Sequence, residues 1–521
     1  MTAMEPFRIA LCQVKAHDID DAEANLRNLL RALDEAGAAG AQLVGLPECS
    51  YPAYYLRDAE PYARSGVRAF DEVCALFAAK AKQYGYWLAA GMAVPSDRGK
   101  LTNSAVVFAP DGSRHGQFDK SFLWHFDSNW FVPGNDFPVW DMGFAKVGIL
   151  ICADGRMPEI ARSLKVNGAE VILDLTAWVS AARQTWELSN PQCEYFMPVR
   201  AFENGVWVAA ADKWGFEAGS IVYAGRSLVI NPRGEPVAIA PSDAEMVLVR
   251  DLTPMDVQLV PRRPALYRGL TTETAELPIA AVLPEALSPA ELVRGVSVVP
   301  SLGEFNAKAT AAKFRELRAQ DAELVVFGGE NGPEGWQVEL STLEAAVREA
   351  GGAMVIGVAT SGCSAHQSTV LITPEATIEH AATHGRGIQL GELASPVVPT
   401  AAGNIGLLCG EEGLVPEVAR GLMLAGADIL AWPVFTRHPM LEPLIRTRSD
   451  ENRVYTAAAW EGGGMVATPN GGIATVVPSG SGIAMTAQVN RALSRAKDMA
   501  PGTNVVNDRQ PQTYAALLRP A

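Results

Sequence analysis

Gly148-Ile149-Leu150-Ile151-Cys152-Ala153-Asp154-Gly155-Arg156-Met157-Pro158-Glu159 is the stretch from which the fold is read. The apolar run from Val147 to Ile151 is short enough for a buried strand and too short for a stable helix. It stops at Cys152. Pro158 and Glu159 then open a helix, with Pro in the first turn and an acid near the positive end of the dipole. A cysteine where a buried strand breaks toward a helix is presented sharply. The backbone N–H of Ala153 is aimed at whatever forms on the sulfur, a geometry suited to a nucleophile that generates an oxyanion. A cysteine at a strand end is otherwise a core residue.

Outward from this elbow, strands and helices alternate. Phe7 to Val14 reads as a strand, Ala22 to Ala36 as a helix, and Ala41 to Leu46 as a second buried strand. Glu48 falls just past that strand's carboxyl end, where α/β folds place their chemistry. Asn103 to Phe108 runs into the turn Ala109-Pro110-Asp111-Gly112-Ser113, a hairpin signal, and the returning segment carries Lys120. An aromatic loop follows, with Trp124, His125, Phe126, Asp127 and Trp130, closed by Val132-Pro133-Gly134. Aromatics around an acid and a histidine line a pocket or fill a core.

Composition narrows the function classes. The 521 residues carry a formal net charge of −15, which argues against nucleic acid and anionic membrane surfaces as partners. No apolar run approaches a membrane span. Seven cysteines (12, 49, 74, 152, 193, 363, 409) are scattered and odd in number, which fits a reducing cytoplasm. Neither cysteines nor histidines show metal-ligand spacing, and no nucleotide-binding glycine motif occurs, so no metal and no cofactor is expected.

Five motifs taken in order carry a resemblance. A Glu after the second strand, a Lys after the hairpin, C-x-D-x-R-x-P-E at the elbow, R-x-x-E-N at Arg200 to Asn204 and G-x-S at Gly225 to Ser227 are similar to the nitrilase superfamily of carbon–nitrogen hydrolases. The resemblance implies an α-β-β-α sandwich and a catalytic triad of Glu48, Lys120 and Cys152, with Asp127 as a fourth acid and the Ala153 N–H as oxyanion donor. It implies hydrolysis of a small-molecule amide through a thioester on Cys152. Ala153-Asp154 after the nucleophile, where true nitrilases carry Trp-Glu, favours an amidase over a nitrilase. The elbow also lacks the basic residues of carbamoylases, which ranks N-carbamoyl hydrolysis lower. Trp124, His125, Phe126, Trp130 and Trp178 are expected to line an apolar acyl pocket. Acyl transfer to an amine and a non-catalytic binding role are the readings from other classes.

The second half repeats the first. Ala322 to Glu330 parallels Ala41 to Glu48, Gln367 to Pro374 parallels Asn103 to Pro110, Gly406 to Arg420 parallels Gly148 to Arg162, and Arg448 to Asn452 parallels Arg200 to Asn204. Anchoring on the shared Pro-Glu sets Gly410 opposite Cys152 and Cys409 opposite Ile151, and counting on from the hairpin sets His384 opposite Lys120. Of the triad, Glu330 alone remains. The expected organisation is therefore two tandem nitrilase-type α-β-β-α sandwich domains: 5–255 catalytic, 256–293 a linker, 294–490 a degenerate inactive copy, and 491–521 a C-terminal tail. Pairing of the two within the chain as a pseudo-dimer, and further homo-oligomerisation, are both open to such a protein.

Overall fold

Strand β1 (Phe7–Lys15) is apolar on both faces, so it requires cover on both sides, and the fold supplies it. The computed structural model describes residues 4–182, 184–285, 287, 293–301, 303–360 and 365–520; Cys363 and part of the expected linker lie outside them. The chain forms two compact units, Met1–Leu259 with Ala500–Thr503, and Val260–Met499 with Asn504–Ala521.

In the first unit β1 lies beside β2 (Leu43–Tyr51), β3 (Trp87–Val94), β4 (Thr102–Phe108) and β5 (Arg114–Asp119), in that order. A second sheet holds β6 (Val139–Asp141), β7 (Lys146–Ile151), β8 (Val171–Leu175) and β9 (Trp207–Ala211), then β12 (Leu228–Ile230) and β13 (Pro236–Ile239). Strands β10 (Lys213–Glu217) and β11 (Ile221–Ala224) extend the first sheet, and β14 (Met246–Leu252) runs antiparallel to β1. Ala10, Cys12, Val44 and Leu46 turn outward to pack under helices α1 (Ala22–Ala38) and α2 (Phe70–Tyr84). The opposite face meets the second sheet: a Cβ on Gly45 would come within 3.2 Å of Leu173 and 3.6 Å of Ala211. Helices α4 (Pro158–Val166) and α5 (Met197–Asn204) cross over between β7, β8 and β9, which run parallel. This is the helix–sheet–sheet–helix layering expected of the sequence.

The second unit repeats the plan. One sheet runs β19 (Thr377–Ala381), β18 (Gln367–Ile372), β17 (Ala353–Ala359), β16 (Ala322–Asn331), β15 (Val293–Val299), β26 (Met485–Asn490). The other runs β20 (Val397–Thr400), β21 (Gly403–Leu407), β22 (Ile429–Pro433), β23 (Tyr455–Trp460), β24 (Gly463–Ala467), β25 (Ile473–Val476). Val296, Leu324, Val355, Ile405, Ile429 and Ala457 from both sheets share one core. The described residues of 256–293 include short helical turns, among them Pro264–Leu266 and Pro278–Val282. The residues after Met499 are likewise folded into turns, with Val505, Val506 and Leu517 buried.

Candidate active site

Glu48 sits within β2 rather than past its end. The strand continues to Tyr51 through an irregularity after Leu46, where Gly91 of β3 lets Pro47 approach: a Cβ at Gly91 would lie 2.1 Å from the Pro47 carbonyl oxygen. A regular ladder would not tolerate that contact, so the bulge redirects the Glu48 carboxylate. Lys120 follows β5 directly and is held by its backbone, its N–H donating to Asn103 O at 2.8 Å and its carbonyl accepting from Gly134 N at 2.8 Å. Asp127 opens the short helix Asp127–Trp130. Cys152 follows β7 with φ +49°, a left-handed conformation that an L-residue adopts only under constraint.

The constraint is visible. Asp154 accepts three backbone N–H groups, those of Ser121, Phe122 and Ile151, at 3.0, 2.7 and 3.1 Å. The Cys152 N–H donates to Asp174 Oδ1 at 2.8 Å. Arg200 reaches the loop from α5, donating to Gly155 O (2.9 Å) and Arg156 O (3.0 Å), while Glu203 holds its guanidinium. The R-x-x-E-N motif thus acts as a clamp on the elbow.

Lys120, Glu48 and Asp127 are fully buried together. Lys120 Nζ donates to Glu48 Oε1 and to Asp127 Oδ2, both at 2.7 Å. Asn103 Nδ2 also donates to Glu48 Oε1 at 2.7 Å, and Glu48 Oε2 has no hydrogen-bond partner among the described residues. Asp127 is fixed in turn by Tyr54 OH (2.9 Å) and the Trp124 N–H (2.9 Å).

Electrostatics tie Cys152 to this group. Burial, then the Glu48 charge, push the Cys152 thiol well above its ordinary range, and Lys120 opposes them. Burial likewise raises Glu48, against Lys120. Burial alone would lower Lys120, but Asp127 and Glu48 outweigh it and keep the ammonium protonated. These influences favour the thiol form of Cys152 and the ammonium form of Lys120, and raise the basicity of Glu48. Burial also holds the Asp174 carboxyl well above the usual range, and one of its oxygens accepts the Cys152 N–H.

The aromatic residues divide. Trp124 lies beneath Arg156, whose guanidinium carbon is 4.7 Å from its ring centre. Trp178 is buried, and its Nε1 donates at 3.0 Å to a Gln192 amide turned to give its own N–H to Cys152 O at 2.6 Å. His125, Phe126 and Trp130 have other surroundings. His125 is exposed, its backbone N–H on Thr503 Oγ1. Phe126 and Trp130 pack against Tyr54 and Tyr55 in a cluster with Phe131 and Leu101, so that part of the loop fills a core. Tyr54, Asn103, Asp174 and Gln192 were not singled out from sequence. Asp174 left a signal, an acid interrupting the buried run Val171–Leu175.

The second unit preserves the scaffold without the groups. Cys409 N donates to Glu412 Oε2 at 2.8 Å, as Ile151 N does to Asp154, and Gly410 takes the left-handed position with φ +54°. Arg448 donates to Gly413 O and Leu414 O and pairs with Glu451, as Arg200 does in the first unit. The assignment of His384 is corrected. Ala382 N donates to Gln367 O at 2.9 Å and its carbonyl accepts from Gly391 N, so Ala382 stands where Lys120 stands. The second hairpin is two residues shorter: its connection runs Thr373 to Ala376 rather than Ala109 to Ser113, and it lacks the bulge between Val107 and Phe108. His384 instead binds Tyr267 OH and Thr383 Oγ1.

The sequence matches the carbon–nitrogen hydrolase family over residues 8–262 and again over 313–497. The chain belongs to this family, as a tandem duplication. It is 33% identical over 232 residues to a nitrilase of Pyrococcus abyssi, covering 44% of this chain and 84% of that protein. It is 30% identical over 259 residues to the omega-amidase NIT2 of Xenopus tropicalis (48% and 89% covered) and 30% over 258 residues to that of Homo sapiens (47% and 88%). Among solved structures, an amidase from Nesterenkonia sp. AN1 is 28% identical, with 47% of this chain and 92% of that one covered and a TM-score of 0.43. No helix among the described residues is long and apolar enough to cross a membrane.

Proposed function

We infer that this chain is a thiol-dependent amidase that hydrolyses a linear, non-peptide amide of a small molecule. The observation that carries the reading is the buried contact of Lys120 with Glu48 and Asp127, both at 2.7 Å, with the Cys152 thiol under the influence of the first two. The relatives named omega-amidase support an amide as the bond broken.

In the proposed cycle Glu48 takes the thiol proton as Cys152 Sγ attacks the amide carbon. The carbonyl oxygen becomes an oxyanion, met by Lys120 Nζ and the Ala153 N–H. The Cys152 N–H is already committed to Asp174, which leaves Ala153 as the next backbone donor. Collapse breaks the C–N bond, the proton on Glu48 passes to the nitrogen, and amine or ammonia leaves an acyl thioester on Cys152. Water gives its proton to Glu48 and attacks the thioester, the acid departs, and the proton returns to sulfur. Asp127 holds Lys120 in place. Trp124 and Trp178 flank the elbow and favour an apolar acyl group.

The second unit, with Gly410 and Ala382 in place of nucleophile and lysine, takes no part in bond breaking. Ammonia release from a panel of short amides, nitriles and N-carbamoyl compounds tests the assignment. Turnover of amides that is lost in Cys152→Ala and Glu48→Gln supports it. Amide turnover that survives Cys152→Ala overturns it.

A further inference from the structure

Glu48 and Cys49 are consecutive, yet both side chains meet the amide of Asn103. Glu48 Oε1 accepts from Asn103 Nδ2 at 2.7 Å, and the Cys49 thiol donates to Asn103 Oδ1 at 3.3 Å. Neighbouring residues of a regular strand point to opposite faces, so this pairing needs the backbone to turn between them. Cys49 supplies the turn, with φ +41°. Its carbonyl is held by Lys213 Nζ at 2.9 Å, and Ser50 Oγ donates back to Pro47 O at 2.7 Å. Glu48, Cys49, Ser50, Asn103 and Lys213 are all buried.

The two ends of an asparagine amide are alike in shape and opposite in hydrogen-bonding character. Turned end for end, this amide would set Oδ1 against the Glu48 carboxylate, acceptor on acceptor. The Asn103 backbone is fixed opposite Ala93 in the ladder and by the Lys120 N–H on its carbonyl, so a change of orientation takes place within the side chain. Only one orientation gives the buried Oδ1 a donor, and that donor is the Cys49 thiol. Burial, then the Glu48 charge, hold this thiol well above its ordinary range, so it keeps the proton it donates. In the second unit Asn331 follows Glu330 and runs on in the β16–β17 ladder opposite Ala359, with Gln367 in the place of Asn103.

We propose that Cys49 is a positioning residue for Glu48: its thiol pins the Asn103 amide with Nδ2 toward the carboxylate and so keeps that carboxylate ready to accept a proton. The inference rests on Glu48 acting as the base of the proposed cycle. Lys120 and Asp127 are the charges that act most on Glu48, and Cys152, Asp174, Asp212, Tyr54 and Tyr223 also feel its charge. The Lys213–Glu217 pair lies beside Cys49. Cys49→Ala leaves all of these in place.

The test is the acid limb of kcat/KM against pH in the full-length chain. Cys49→Ala strands Asn103 Oδ1 and should move the limb about one pH unit upward, because a weakened donor disfavours the carboxylate. Cys49→Ser, which keeps an O–H donor, should return the limb to near its wild-type position. Added to Asn103→Leu, Cys49→Ala should shift it no further, since the two residues act in one chain of hydrogen bonds. In the infrared difference between wild type and Cys49→Ser, the S–H stretch should fall at the lowered frequency of a hydrogen-bonded thiol. A limb that Asn103→Leu moves and Cys49→Ala does not overturns the proposal, as does an additive shift in the double variant or an S–H band at the free-thiol frequency. A limb that neither variant moves refutes Glu48 as the reporting base, and this inference with it.

Discussion

The backbone N–H of Cys152 donates to the buried carboxyl of Asp174 at 2.8 Å, so the nucleophile is held from below by an acid on the neighbouring strand. Leu150 pairs with Asp174 and Ile151 with Leu175, which puts Cys152 and Asp174 on the same face of the sheet. The left-handed φ of Cys152 depends on this bond together with the Asp154 turn. Asp174→Asn keeps the accepting oxygen and is expected to retain kcat within about threefold, whereas Asp174→Leu strands the N–H and should lower kcat by about 10–100-fold with little change in KM. Equal kcat in the two variants would remove Asp174 from the account.

Burial raises Glu48 and Lys120 opposes it, and Asn103 adds a smaller lowering contribution. Its amide favours the charged carboxylate, opposing the burial that raises it. With Glu48 as the base of the proposed cycle it must start unprotonated, so activity is expected to rise with pH through its raised pKa. Asn103→Leu removes the opposing bond, raises that pKa further and should move the acid limb of kcat/KM to higher pH. A limb that stays in place or moves toward acid shows that Glu48 is not the group it reports.

Restoring the lost groups to the second unit should not restore chemistry. Gly410→Cys places a side chain on a left-handed backbone and against Gln367 Oε1. It is expected to destabilise the protein by about 1–3 kcal/mol, and the double variant Gly410→Cys, Ala382→Lys in a Cys152→Ala background should remain inactive. Denaturant titration and ammonia release read the two effects. Amide turnover by that triple variant would contradict the reading of the second unit as an inactive copy.

Lys497 gives a pH-dependent stability signal. Burial lowers it to about 7, while its ammonium donates to Asn452 O and Arg453 O. Its folded pKa lies below the unfolded value of about 10.4, so the unfolded chain binds more protons between about pH 7 and 10. Stability therefore rises with pH across that window, and the penalty is fully present below it. Wild type should gain about 2–4 kcal/mol on Lys497→Met between pH 7 and 10, measured by urea unfolding at each pH. A difference that stays flat or falls with pH refutes the assignment.

Sequence pattern carried most of this architecture because period and punctuation coincide. The run into Cys152, the helix opened by Pro158 and the repeat around Pro416 locate the elbows of both units to the residue. Glu48, Lys120 and Asp127 were legible as ordered motifs, but their contacts were not, since Tyr54 and Asn103 meet them only through the tertiary fold. His384 was misplaced because a hairpin can drop a turn residue and a bulge without disturbing its hydrophobic alternation. Phe126 and Trp130 show the limit of composition: an aromatic loop beside an acid reads alike whether it lines a site or packs on Tyr55.

A thioester on Cys152 is read out by intact-mass spectrometry of wild type and Cys152→Ala quenched with acid during turnover of short amides. An acyl adduct is expected on wild type, absent from Cys152→Ala and accumulating further when Glu48 is replaced in a way that slows deacylation more than acylation. An adduct of the same mass on Cys152→Ala, or one that maps by peptide digestion to Cys409, would contradict it.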